Sequence, residues 1–93
     1  MIKTFRDTET ELLWSDEFSR RIPVNIHKVA FRKLQLLNAA VVLTDLLVPP
    51  GNRLEALKGD RRGQHSIRIN DQYRICFEWR DGNAYDVEIA DYH

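Results

Sequence analysis

The residues best equipped for chemistry stand together at Asp91-Tyr92-His93: a carboxylate, a phenol and an imidazole in consecutive positions. An imidazole titrates at about pH 6.5 when unperturbed, so a histidine held in place can act as a general base near neutrality. The competing reading is a solvated tail, because chain ends fray unless something ties them down. The preceding stretch, Ala84-Tyr85-Asp86-Val87-Glu88-Ile89-Ala90, alternates apolar and polar residues, which predicts a strand carrying the tripeptide at its end. If the face carrying these groups meets RNA, cleavage without a metal needs a base for the 2′-hydroxyl, an acid for the leaving 5′-oxygen and cations for the phosphate charge. Lys58, Arg68 and Arg74 can supply the cations, and an arginine fork suits a phosphate bidentately. His93 and Tyr92 can handle protons, and Tyr73 and Tyr92 can stack on exposed bases.

Other chemistries find no frame. His27, His65 and His93 have no metal-ligand spacing, and a lone Cys76 builds neither an internal disulfide nor, by itself, a zinc site. There is no glycine-rich phosphate loop, no Rossmann fingerprint and no framed Ser or Cys nucleophile. Several candidates also have plain structural readings. Lys58-Gly59-Asp60 is an ordinary turn by itself, and Arg74 is an ion-paired strand residue. His65 reads as a surface strand residue, and Cys76 as small packing within the sheet. Tyr73 and Tyr85 read as packing residues, Trp14 and Trp79 as core or its rim.

The chain that must position these groups has 93 residues, one domain's worth, so residues 1–93 are expected to fold as a single unit. With 43% hydrophobic and 30% charged residues it reads as globular rather than disordered. No apolar run reaches the roughly 18 residues that span a bilayer, and Met1 to Arg6 lacks the apolar core of a signal peptide, so a cytoplasmic protein without membrane contact is expected. Formal net charge is +0, but it is segregated. From Arg53 to Arg74, Arg53, Lys58, Arg61, Arg62, Arg68 and Arg74 outnumber Glu55, Asp60 and Asp71. From Ile75 onward Arg80 faces five acids. A basic stretch on a neutral protein points to a specific anionic contact, or else to a solvated face.

Ile2 to Phe5 has a short strand pattern. Thr8-Glu9-Thr10-Glu11 has capping-box spacing and predicts a helix over 8–18. Pro23 suits the first position of a second helix, in which Ile26, Val29, Ala30, Leu34 and Leu37 form one stripe, ending near Asn38. Thr44-Asp45 can cap one further turn. After Pro49-Pro50-Gly51-Asn52 the period falls to two. His65 to Ile69 and Tyr73 to Trp79 read as strands joined by a turn at Asn70-Asp71-Gln72, and Asp81-Gly82 marks a second hairpin. Tyr85, Val87 and Ile89 are expected on one face of the last strand. The fold class is α+β: an N-terminal strand and two helices packed on one face of a small antiparallel sheet, β-α-α-β-β-β-β. Ile67, Ile69, Ile75, Phe77, Val87 and Ile89 are expected under the helices. The other face carries Ser66, Arg68, Arg74, Cys76, Glu78, Asp86 and Glu88. Arg68 and Arg74 meet there, so an anion must offset them: Glu78, Glu88 or a phosphate.

The segments 49–61, 63–70, 73–77, 84–89 and Asp91-Tyr92-His93, with Met1 to Asp7, together resemble the HigB toxins, the plasmid maintenance killer branch of the RelE/ParE superfamily. The resemblance covers essentially the whole chain and implies a toxin of a type II toxin–antitoxin pair. It implies a metal-independent, ribosome-dependent endoribonuclease that cuts mRNA in the A site of the 70S ribosome, beside 16S rRNA, without a cofactor. The family's functional positions match Lys58, Arg74, Asp91, Tyr92 and His93; apart from the resemblance, Arg53, Arg61, Arg68 and Tyr73 are expected as further RNA or phosphate contacts. This chain departs from the family in having Tyr73 where Trp is frequent. A HigA-like helix-turn-helix antitoxin is the implied partner, and operator DNA would be reached through it. The same fold serves ParE-like inhibitors of DNA gyrase, which is the alternative.

Overall fold

The computed structural model describes residues 1–91. Two helices, α1 (Thr8–Trp14) and α2 (His27–Ala39), precede four strands: β1 (Glu55–Ala56), β2 (Gln64–Arg68), β3 (Tyr73–Arg80) and β4 (Asn83–Asp91). The strands form one antiparallel sheet in the order β1-β2-β3-β4. Short 3-10 turns lie at Val24–Ile26, Leu43–Leu47, Pro50–Asn52 and Gly59–Arg61. This is the expected α+β arrangement, with one refinement at the start. Ile2 and Phe5 make isolated parallel bridges to Ala84 and Val87, so the opening segment flanks β4 without becoming a continuous strand.

The helices differ from the sequence expectation in their ends. Asp7, not a threonine, caps α1 by accepting from the Thr10 N–H. Glu9 instead reaches forward to the Ser19 hydroxyl and the Arg20 and Arg21 N–H groups. The Ser19 hydroxyl above all, with those N–H groups, holds its carboxyl below the ordinary glutamate range. The helix stops at Trp14 rather than near Phe18. Asp16 takes a left-handed φ of 60°, its N–H donating to the Leu13 carbonyl while the Glu17 N–H returns to Leu12. That is a Schellman closure built on Asp instead of Gly. Pro23 precedes the 3-10 turn that leads into α2.

The stripe of α2 is buried as its spacing requires: Ala30, Leu34 and Leu37 are solvent-inaccessible and pack with Leu13, Ile22 and Ile26. Beneath them lie Ile67, Ile69, Ile75, Phe77, Val87 and Ile89, the expected sheet residues. Each buried Leu or Ile contributes roughly 1.5–3 kcal/mol of hydrophobic stabilisation, so this layer is the main source of stability. Among buried polar groups, the Thr10 hydroxyl accepts from the Ile89 N–H at 3.0 Å, tying α1 to β4 just beyond the bridges of the opening segment.

Both hairpins form where expected. The Asn70 side chain accepts from the Gln72 and Tyr73 N–H groups at 2.9 and 2.7 Å. Asp81 and Gly82 both have positive φ, 51° and 77°, as a two-residue type I′ turn demands. The last strand departs from simple alternation. Cys76 pairs with Glu88 but Glu78 pairs with Tyr85, so Asp86 and Val87 together oppose Phe77. Asp86, at φ 51°, is the extra residue of a bulge. The bulge overturns the expectation for Tyr85: Ala84, Val87 and Ile89 face the helices, while Tyr85 turns to the other side, under the Arg80 guanidinium at 3.9 Å.

Candidate functional site

The face of the sheet away from the helices is built in rows by the strand register. Glu55, Ser66, Cys76 and Glu88 form one row, and Arg68, Arg74 and Ala90 the next. Arg68 and Arg74 are therefore direct neighbours, as expected, but their counter-charges are not Glu78 or Glu88. Arg68 pairs with Asp71 in the adjoining turn, and Arg74 Nη2 lies 3.2 Å from Glu55 on β1. Glu88 is engaged elsewhere, 2.6 Å from Arg61 and 3.8 Å from Arg6.

Arg74 is the most constrained of these cations. Its side chain is 12% exposed. Its Nε donates to the buried Ser66 hydroxyl at 2.7 Å and its Nη2 to the Arg53 backbone carbonyl at 2.6 Å. Arg53 presents that carbonyl from a left-handed backbone, φ 45° and ψ 56°. For a residue with a β-carbon this conformation costs on the order of 1–3 kcal/mol, and the surrounding contacts must over-determine it. Arg53, Glu55, Arg68, Asn70, Asp71 and Arg74 line a cleft of about 240 Å³. Three guanidinium groups against two carboxylates leave it a net cationic lining. Glu55 is 57% exposed, and an ion pair with so wet a partner holds only about 0–1 kcal/mol, so an incoming anion can displace it at little cost. The result is a preorganised guanidinium whose exposed Glu55 contact can give way to another anion.

The other sequence candidates are distributed differently. Lys58 is exposed and begins the 3-10 turn Gly59–Arg61, directly after Leu57, which packs on Cys76 and Ala90 of the same sheet face. Arg61 donates to Gln64 and pairs with Glu88, so it braces this face. Tyr73 packs against the helix-side core, opposite in the strand alternation from Arg74. Asp91 pairs in register with Tyr73 and accepts from Gln72 Nε2 at 3.0 Å, at the same end of the sheet as Arg74. Tyr92 and His93 lie outside the described residues. His65 stacks on Phe77 on the helix side, with ring centroids 6.2 Å apart, and is not part of the cleft. Burial pushes the Cys76 thiol upward, which keeps it protonated and unreactive.

Two cleft contacts lie outside the sequence pattern: the Glu55 carboxylate, and the backbone carbonyl of Arg53, a residue expected to act through its side chain. Glu55 sits on a two-residue strand too short to show periodicity, and in the sequence it is only one of three acids in a basic stretch. The Arg53 carbonyl is a backbone group, on which side-chain patterns are silent.

Comparison with known proteins agrees across nearly the whole chain. The family described as HigB-like toxin, the RelE-like toxin of the type II toxin–antitoxin system HigB, matches residues 3–93. Toxin HigB-1 of Vibrio cholerae serotype O1 is 46% identical over 90 residues, spanning 96% of this chain and 95% of that protein. Endoribonuclease HigB of Proteus vulgaris is 32% identical over 97 residues, spanning 100% of both. In fold, the chain resembles the YoeB-YefM complex from Staphylococcus aureus, with a TM-score of 0.61 at 17% identity over 100% of this chain and 98% of that one. It also resembles YafQ from E. coli, with a TM-score of 0.56 at 12% identity over 98% and 93%.

Proposed function

The chain belongs to the HigB-like family of RelE-like toxins of type II toxin–antitoxin systems, and from that membership we propose that it cuts mRNA on the translating 70S ribosome, in the A site. The observation that carries the reading is the Arg74 fork, fixed by Ser66 and Arg53 in a cationic cleft beside Arg68. An endoribonuclease among the full-length relatives supports it, and the relatives named above lend no support to gyrase inhibition.

The proposed reaction is metal-independent. The 2′-oxygen attacks the adjacent phosphorus, the P–O5′ bond breaks, and a 2′,3′-cyclic phosphate and a 5′-hydroxyl result. Hydrolysis of the cyclic ester gives a 3′-phosphate. One proton leaves the 2′-hydroxyl and one reaches the departing 5′-oxygen, and His93 is assigned one of these transfers. Tyr92 orients the target nucleotide and Asp91 the imidazole. Arg74 and Lys58 offset the charge growing on the phosphate, with Arg68, Arg53 and Arg61 as weaker electrostatic contributors. Tyr73 supports this end of the sheet from the core side.

Near-zero net charge suits dependence on the ribosome, whose 16S rRNA would supply binding surface that a 93-residue chain lacks. As a type II toxin the protein has an antitoxin partner. A HigA-like helix-turn-helix protein, carrying the complex to operator DNA, fits that place. The test is incubation of the purified protein with a defined message, free or loaded on 70S ribosomes, followed by end mapping. Cuts confined to the ribosome-bound message, leaving 5′-hydroxyl ends, are expected. Equal or faster salt-sensitive cutting of the free RNA would refute ribosome dependence, and 5′-phosphate ends would refute the 2′-hydroxyl route.

A further inference from the structure

Asn52 is a wholly buried polar residue in the turn that precedes the cleft. Its Nδ2 donates to the carbonyls of Leu46 and Val48, at 3.1 and 3.3 Å, and its Oδ1 accepts from Lys33 Nζ on α2. These partners fix the orientation of the amide, since a carbonyl can only accept and an ammonium can only donate. The one side chain therefore joins helix α2, the Leu43–Leu47 turn and the loop at Val48 to the Pro50–Asn52 turn. The next residue is Arg53, strained into the left-handed region, its N–H donating to the Pro50 carbonyl and its own carbonyl held by Arg74.

Resting on the reading of Arg74 given above, we propose that Asn52 is a positioning residue for Arg74, clamping the turn so that Arg53 keeps its strained backbone and its carbonyl stays on the guanidinium. The chemistry of the clamp is specific. Aspartate at this position would set carboxylate oxygens against the two carbonyls, and leucine would leave the buried Leu46 carbonyl, and the part-buried Val48 carbonyl and Lys33 ammonium, without this partner. Burial lowers the basicity of Lys33, and the charges of Arg32 and Arg68 lower it further. Without the clamp, Arg53 relaxes to an extended backbone. Arg74 then keeps Ser66 and Glu55 but loses the ligand that fixes the second arm of its fork.

The experiment has two readouts on folded protein. The first is proton exchange of the Arg74 guanidinium, followed by nitrogen NMR in wild type, Asn52→Ala and Asn52→Asp. Both variants are expected to exchange faster by roughly tenfold or more, reporting local release. The second is a cycle of cleavage rates on a ribosome-loaded message. Asn52→Ala is expected to lower kcat by on the order of tenfold with Arg74 present, and by less than about twofold with Arg74→Ala. Unchanged Arg74 exchange, or the same fold-loss in both backgrounds, overturns the proposal. If Asn52→Ala does not fold, Lys33→Met, which removes one partner of the clamp, and Asn52→Asp carry both comparisons. If Arg74→Ala cleaves like wild type, the functional reading of the cleft fails, while the exchange measurement still decides the clamp.

Discussion

The Arg74 guanidinium lies 3.2 Å from the Glu55 carboxylate, across β2 from the strand that carries it. On the proposed reading, this carboxylate is the group that an RNA phosphate displaces from the fork. The arrangement resolves the juxtaposition of Arg68 and Arg74 with protein acids, Asp71 and Glu55, and leaves the second of them easily displaced.

Glu55→Gln removes one negative charge from the cleft without disturbing the bonds from Arg74 to Ser66 and Arg53. A short 2′-O-methyl oligoribonucleotide, titrated at low salt, is expected to bind several-fold tighter to the variant, corresponding to about 1 kcal/mol. Thermal stability should stay within about 0.5 kcal/mol of wild type, because the pair is solvent-exposed on one side. Weaker binding by the variant would mean that Glu55 contacts the RNA directly and is not its competitor.

Leu34 is wholly buried at the centre of the α2 stripe. Truncation in Leu34→Ala is expected to cost about 2–5 kcal/mol, read from urea unfolding with an unchanged m-value. A loss under 1 kcal/mol would mean that α2 does not seal the core as described.

Glu9 is held below the ordinary glutamate range, first by the Ser19 hydroxyl and then by the Arg21 and Arg20 N–H groups. A lowered folded-state pKa stabilises the protein above the unfolded-state value, and that contribution disappears as pH falls through the folded-state value. Glu9→Gln is therefore expected to melt lower than wild type at neutral pH, with the gap closing under acid conditions. Melting curves at neutral and acid pH check this. A gap that is constant or grows in acid would contradict the assignment.

Much of the scaffold was readable because it rests on periodicity. The α2 stripe, the alternation of β3 and the Asp81-Gly82 hairpin are all side-chain patterns with one structural solution. What escaped was set by backbone geometry. Asp16, Arg53 and Asp86 hold positive φ without glycine, and so they end α1, shape the cleft and bulge β4 with no glycine to announce them. The bulge alone decides that Tyr85 leaves the core. The same limit applied to the site: Arg68 and Arg74 were legible as neighbours by register, whereas Glu55, the Arg53 carbonyl and Asn52 act through contacts between segments that no local pattern encodes.

The most direct test of the central claim is primer extension on a translated message after brief induction of wild type, Arg74→Ala and His93→Gln. Cuts inside codons are predicted for wild type and only when the message is translated, with each variant reduced by on the order of 10²–10³. Undiminished cutting by both variants, or growth arrest by wild type with the message intact, would contradict the account.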